Sequence, residues 1–305
     1  MKTQQLCVLA EENGCKVYRD RMLKDYTTFK IGGKCNIVID ITSQESLAVL
    51  LKYCNENNIN YLIIGKGSNM LCDDKGFNGV VFHIGNDFAQ MKLIDESTIE
   101  VEAGCSLMKL CKFALENSLT GLEFAYGIPG TVGGAIFMNA GAYDGEIKNV
   151  LESVECVDTD GNIHYLKAEE LDLSYRHSIF HENDCVVTKG VFKLSKGNEK
   201  AIFDKMNDLM CRRKEKQPLE YPNAGSTFKR PVGQFAGKLI QDCGLKGFSV
   251  GGAMVSEKHS GFVINYDNAT YEDVTELIKQ VQKIVKEKTG FWLECEVRII
   301  PYEEN

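Results

Sequence analysis

The chain has 305 residues, of which 44% are hydrophobic and 26% charged, with only five prolines. At about 150 residues per domain that is enough for two domains, and the balance excludes a disordered, collagenous or low-complexity protein. Thirty-five Lys and Arg against 43 Asp and Glu leave a net charge of −8, so neither nucleic acid nor a membrane is expected as a partner.

Taken in chain order, residues 1–22 read as an N-terminal helical segment whose apolar piece, Leu6–Ala10, is too short for a secretory leader. Thr42-Ser43-Gln44-Glu45 offers a capping box, Leu47, Leu50, Leu51 and Cys54 follow at helical spacing, and Asn57-Asn58 close the helix. Tyr61–Ile64, Val80–Ile84 and Thr98–Ala103 read as strands, and a helix is expected from Ser106 to about Asn117. Val150–Asp158 and Asn162–Leu166, joined around Asp160-Gly161, predict a hairpin. Beyond Gly197 the texture changes. A helix runs from Ala201 to Gln217 and stops at Pro218. A second is capped by Thr270, carries an apolar stripe from Val274 to Val285 and ends at Gly290, and a strand is expected over Phe291–Ile300.

Twelve cysteines could suggest metal or redox chemistry, but the closest pair, Cys105 and Cys111, are six apart. Zinc ribbons and redox motifs need closer pairs, so the thiols read as reduced core residues of a cytoplasmic protein. Phe124–Tyr143 is twenty residues without a charge, long enough to span a bilayer. Its five glycines and Pro129 make a poor helix, and a buried loop is expected instead.

Two glycine-rich elements carry chemistry. Strand Tyr61–Ile64 runs into Gly65-Lys66-Gly67-Ser68-Asn69, where glycines let the backbone approach a ligand and amides can donate to phosphate oxygens. It lacks the endings of a Walker A loop and of a Rossmann fingerprint; alone it reads first as a plain tight turn. The second is Gly127-Ile128-Pro129-Gly130-Thr131-Val132-Gly133-Gly134-Ala135, continuing to Asn139-Ala140-Gly141. Two such loops suit a diphosphate with an attached ring.

With Thr28-Phe29-Lys30-Ile31-Gly32-Gly33 placed before them, these motifs resemble the FAD-binding domain of the vanillyl-alcohol-oxidase (PCMH) type. Ser174-Tyr175-Arg176, Asn223-Ala224-Gly225-Ser226-Thr227-Phe228-Lys229 and Glu294-Cys295-Glu296-Val297-Arg298 narrow the resemblance to the UDP-N-acetylenolpyruvoylglucosamine reductase (MurB) family, over about residues 24 to 301. Two positions depart from the usual pattern: Asp144, where glycine is common, and the Tyr266-Asp267 interruption.

The resemblance implies an α+β protein: a two-part FAD-binding domain over residues 23–197, then a smaller α+β substrate-binding domain over 198–305, with the site in the cleft between them. It implies noncovalent FAD, NADPH as reductant, and a small sugar-nucleotide substrate of peptidoglycan precursor synthesis. The flavin would be held by Gly65, Lys66, Gly67, Ser68 and Asn69 and by Gly127, Ile128, Pro129, Gly130, Thr131, Gly133, Gly134, Ala135, Asn139, Ala140 and Gly141. Ser226 matches the family's proton donor, and Arg176 and Glu296 match the pair that stabilises the enolate. Taken alone, Ser226 reads as a turn residue, Arg176 as an ion-pair partner and Glu296 as the polar side of an edge strand. Glu294, two residues away, is the rival of Glu296. Arg213, Lys229 and Arg298 are candidates for the UDP diphosphate.

The chain resembles the shorter type, without the tyrosine-bearing insertion. His177 and His181 have helical ligand spacing, but no acidic or cysteine partner is expected to cluster with them, so no metal site is expected. Two other readings stay open: a different FAD-dependent oxidase or dehydrogenase on the same scaffold, and a noncatalytic nucleotide-binding protein.

Overall fold

The computed structural model describes residues 2–304 and divides them into two compact units. The first comprises residues up to 19, 37–66 and 79–212, and the second comprises 20–36, 67–78 and 213 onward. The units are therefore not successive in sequence, because segments 20–36 and 67–78 fold with the C-terminal part.

In the first unit, helices α1 (Lys2–Glu12) and α2 (Gln44–Asn57) share one core with Ile37, Ile39, Ile41, Val80 and Phe82. The cap of α2 lies one residue later than the sequence suggested: Ser43, not Thr42, accepts from Ser46 N, and Ser46 Oγ returns the bond. A second serine three residues on completes this box as well as an acid would. Asn58 closes the helix at φ +51, a left-handed conformation that asparagine tolerates. Tyr61–Ile64 pairs in parallel with Val80–His83.

A five-stranded antiparallel sheet follows the order Ile163–Lys167, Leu151–Val157, Val186–Lys193, Thr98–Glu102, Met91–Leu93. The expected hairpin forms its edge. Helices α3 (Leu107–Glu116, capped by Ser106) and α4 (Val132–Phe137) add their buried faces to the core that Val101, Val154 and Phe192 begin. The uncharged run from Phe124 to Tyr143 is a loop, the short α4 and a hairpin. Among the described residues no helix is long and apolar enough to cross a membrane.

Helix α5 (Glu199–Lys216) carries the chain to the second unit. There α6 (Ala236–Asp242) and α7 (Tyr271–Thr289) pack with Phe29, Ile31, Leu71, Val255 and Val263. Val274, Leu277, Ile278, Val281 and Val285 of α7 are all buried, each worth about 1.5–3 kcal/mol relative to exposure. Thr270 and Asp273 form the cap at its start. Gly290 ends it at φ +78, with open space where a Cβ would stand. Gly290→Ala thus meets conformational strain without a clash and should cost about 1 kcal/mol, read as a lower urea midpoint.

The strand expected over Phe291–Ile300 is regular only at Arg298–Ile300, which pairs in parallel with Met70–Cys72. Upstream the chain is extended but makes only an isolated bridge, Cys295 to Phe228. All twelve cysteines are free and nine are buried; burial pushes the thiols of Cys54 and Cys72 up to about 12, as expected of inert core residues.

Candidate active site

The first glycine loop leaves Tyr61–Ile64 at Gly65, where an added Cβ would meet Thr131 Oγ1 at 2.4 Å. At Gly67 it would meet Tyr26 O at 2.3 Å, and φ is +55. Glycine is thus required at both positions, by close approach at the first and by backbone conformation as well at the second. Among the described residues the amides of Lys66, Gly67 and Ser68 donate to no other group, although Gly67 is buried. Buried N–H groups are rarely left unmet, so the Gly67 amide, with the more accessible Lys66 and Ser68 amides on either side, suits an anionic ligand such as a flavin diphosphate.

The second loop is fixed from within. Leu107 N donates to Gly130 O, Gly133 N to Ala103 O, and Thr131 caps α4. A Cβ on Gly133 would meet Ala103 Cβ at 2.9 Å. Pro129 and Gly134 are exposed, while Gly127, Ile128, Gly130 and Gly133 are half-buried, so this backbone is accessible to a flat ligand. Thr131 and Ala135 are buried. Ala140 and Gly141 lead into a hairpin in which Ala142 pairs with Gly145. Its two-residue turn, Tyr143-Asp144, has φ +51 and +64. Two left-handed residues in succession explain why glycine is common where this chain has Asp144.

Asn139 is fully buried, and its side chain is spent on the protein. Its amide donates to Glu146 Oε2 (2.9 Å) and Ser174 O (2.8 Å), and its oxygen accepts from Lys148 N (2.9 Å). It therefore offers a flavin no side-chain donor. Arg176 sits in the tight turn closed by Ser174 and His177, at φ +56. Its guanidinium donates to Gly141 O at 3.1 Å and lies 5.0 Å from the Tyr175 ring.

Ser226 and Glu296 belong to the second unit. Asn223 Oδ1 accepts from Gly225 N at 2.9 Å, and Gly225 turns at φ +77. This is an Asx turn, in which an asparagine side chain replaces the backbone acceptor. Thr28 Oγ1 donates to Asn223 O at 2.7 Å and anchors the turn. Beyond it, Glu296 N donates to Thr227 O and Lys229 N to Glu294 O, both at 2.8 Å. The serine motif thus lies antiparallel to the segment bearing Glu296. The Ser226 hydroxyl makes no hydrogen bond among the described residues.

Asn69, at the end of the first glycine loop, donates to Glu296 O (3.1 Å) and accepts from Arg298 N (2.9 Å). The two acids differ in surroundings. Glu294 is exposed and paired with Lys229 Nζ at 2.5 Å, whereas Glu296 is half-buried. Arg213 is buried near the end of α5 and reaches Gln217 Oε1 at 3.4 Å, and Arg298 is exposed.

Thr28, Asn223 and Glu146 were absent from the sequence-derived site. The spacing of Asn223 from Gly225 is the signal that could have found the Asx turn. His177 does have acidic neighbours, Asp172 at 3.2 Å and Glu182 at 3.6 Å, each five positions away in the chain, which corrects the expectation that none clusters with it. Among the described residues no group of metal ligands forms.

Residues 35–167 match the family described as FAD binding domain, and the chain is an FAD-dependent oxidoreductase of α+β fold. Residues 217–300 match the UDP-N-acetylenolpyruvoylglucosamine reductase, C-terminal domain. The UDP-N-acetylenolpyruvoylglucosamine reductases of Clostridium novyi and Caldanaerobacter subterraneus are 51% and 48% identical. Each alignment covers 93% of this chain and, respectively, 92% and 94% of the relative. The crystal structure of the Thermus caldophilus reductase superposes with a TM-score of 0.80 at 36% identity, covering 94% of this chain and 100% of that one. The chain belongs to the UDP-N-acetylenolpyruvoylglucosamine reductase family.

Proposed function

We propose that this chain reduces UDP-N-acetylglucosamine enolpyruvate to UDP-N-acetylmuramate in the cytoplasm, as a step of peptidoglycan precursor synthesis. FAD, bound noncovalently, would supply the hydride that reduces the enolpyruvyl ether at its methylene carbon, with NADPH as its reductant. The amides of Lys66, Gly67 and Ser68 and the exposed backbone of the Gly127–Gly134 run hold the cofactor. Negative charge then develops at the adjacent carbon and spreads into the substrate carboxylate. Arg176 stabilises that oxyanion with its planar fork of donors, and Glu296 assists as a protonated donor. Ser226 delivers the proton that completes the product. Arg213, Lys229 and Arg298 bind the UDP diphosphate, Lys229 after exchanging Glu294 for phosphate.

Family membership identifies the reaction. The observation that best supports the residue roles is the unengaged Ser226 hydroxyl on a left-handed turn held by Asn223 and Thr28. The test is anaerobic. The flavin is reduced with NADPH, and the enol ether is then added. Rapid reoxidation with formation of UDP-N-acetylmuramate is expected. Reoxidation by oxygen but not by the sugar nucleotide would point to an oxidase. A colourless protein that cannot be reconstituted with FAD would mark a noncatalytic nucleotide-binding protein.

A further inference from the structure

The side chain of Asn139 joins two separate pieces of the first unit, the turn at Ser174 and the segment Glu146–Lys148, and both lead to Arg176. Its first N–H is held by Ser174 O, the carbonyl that also accepts from His177 N to close the turn containing Arg176. Its second is held by Glu146 Oε2. Glu146 pairs with Gly141 across the hairpin, and Gly141 O receives the Arg176 guanidinium. The circuit runs from Asn139 through the turn to Arg176, on to Gly141 and Glu146, and back. Lys148 N fills the remaining oxygen of Asn139.

An asparagine has two amide hydrogens, and here both are used. Asn139 takes a left-handed φ of +40 just past the end of α4, which asparagine tolerates, whereas Arg176 at +56 is strained. Backbone strain of this kind persists only where surrounding contacts enforce it, and it concentrates at functional sites. One buried side chain that fastens both this strained turn and the hairpin carrying Gly141 forms a rigid mount for the Arg176 guanidinium.

We propose that Asn139 is a positioning residue for Arg176. It holds the turn and the hairpin in fixed relation, so that the guanidinium is already aimed when charge develops on the substrate carboxylate. This inference rests on the proposed role of Arg176.

The test separates the two half-reactions of the holoenzyme. Asn139→Ser should leave NADPH reduction of the flavin within about twofold of wild type and slow reoxidation by the enol ether about 10–100-fold, the scale expected of a misplaced catalytic group. In an Arg176→Ala background the same substitution should cost almost nothing further, because the group it aims is gone. Equal losses in both half-reactions, full additivity with Arg176→Ala, or no loss would each overturn the inference.

If Asn139→Ser does not fold, Glu146→Ala keeps Asn139 and opens the circuit at a half-buried position. It should slow reoxidation about 3–10-fold, again only when Arg176 is present, and an unchanged or additive effect would overturn the proposal. Melting temperature measured alongside distinguishes misaiming from general loosening: the kinetic loss should appear in variants whose melting point stays near wild type, and a loss that tracks melting temperature across the set overturns the inference. Failure of the wild type to react with the enol ether would instead overturn the proposed function, and the inference with it.

Discussion

Ser226→Ala is expected to leave the flavin bound and reducible by NADPH while slowing its reoxidation by the enol ether about 10²–10⁴-fold, the usual worth of a positioned proton donor. The hydroxyl makes no hydrogen bond among the described residues, so its removal strands no partner. The turn itself depends on Asn223, Gly225 and Thr28, none of which is altered. Stability should therefore change by no more than about 0.5 kcal/mol, and a kinetic loss could not be blamed on unfolding. Stopped-flow reoxidation under nitrogen is the measurement. Near-wild-type rates would remove Ser226 from the mechanism.

Arg176→Lys should lower the same step about 10²–10³-fold with flavin reduction intact. Charge is retained in this variant, so the loss reports the guanidinium's geometry. A lysine offers three donors from a point charge, and it cannot both hold Gly141 O and present a planar pair to a carboxylate. The turn should tolerate the exchange, because the left-handed φ is equally strained for either side chain. A rate within a few-fold of wild type would show that Arg176 acts only as a diffuse charge.

Local signals were legible in the sequence where they depend on neighbours along the chain. Thr270 and Gly290 bracket α7 as their residue types suggest, because capping is decided within a few residues. Ser43 displaced Thr42 as the cap of α2 because two adjacent hydroxyl residues compete for one position and Ser46 rewards the second. The final strand was overextended in the reading because Phe291–Val297 has strand-like composition, yet Glu294 and Glu296 use their backbone on Lys229 and Thr227. That Asn139 reaches Ser174 O and Asn69 reaches Glu296 O could not be read at all, since these partners lie 35 and 227 positions away. The glycine loops and the Ser226 and Glu296 motifs were legible as a set through their resemblance to the reductase family, which already favours Glu296 over Glu294; the structure adds that Glu294 is paired with Lys229.

The bond from Asn69 to Glu296 spans 227 positions, and Met70–Cys72 finds its parallel neighbour only at Arg298–Ile300. On the ribosome, the segments 20–36 and 67–78 emerge long before the partners that complete their unit. A nascent chain must carry them without their C-terminal partners through most of translation, and any message truncated before codon 298 yields a polypeptide with an open strand edge at Met70–Cys72. Such edges invite pairing with other chains, so premature termination should yield aggregation-prone fragments and not a smaller working enzyme.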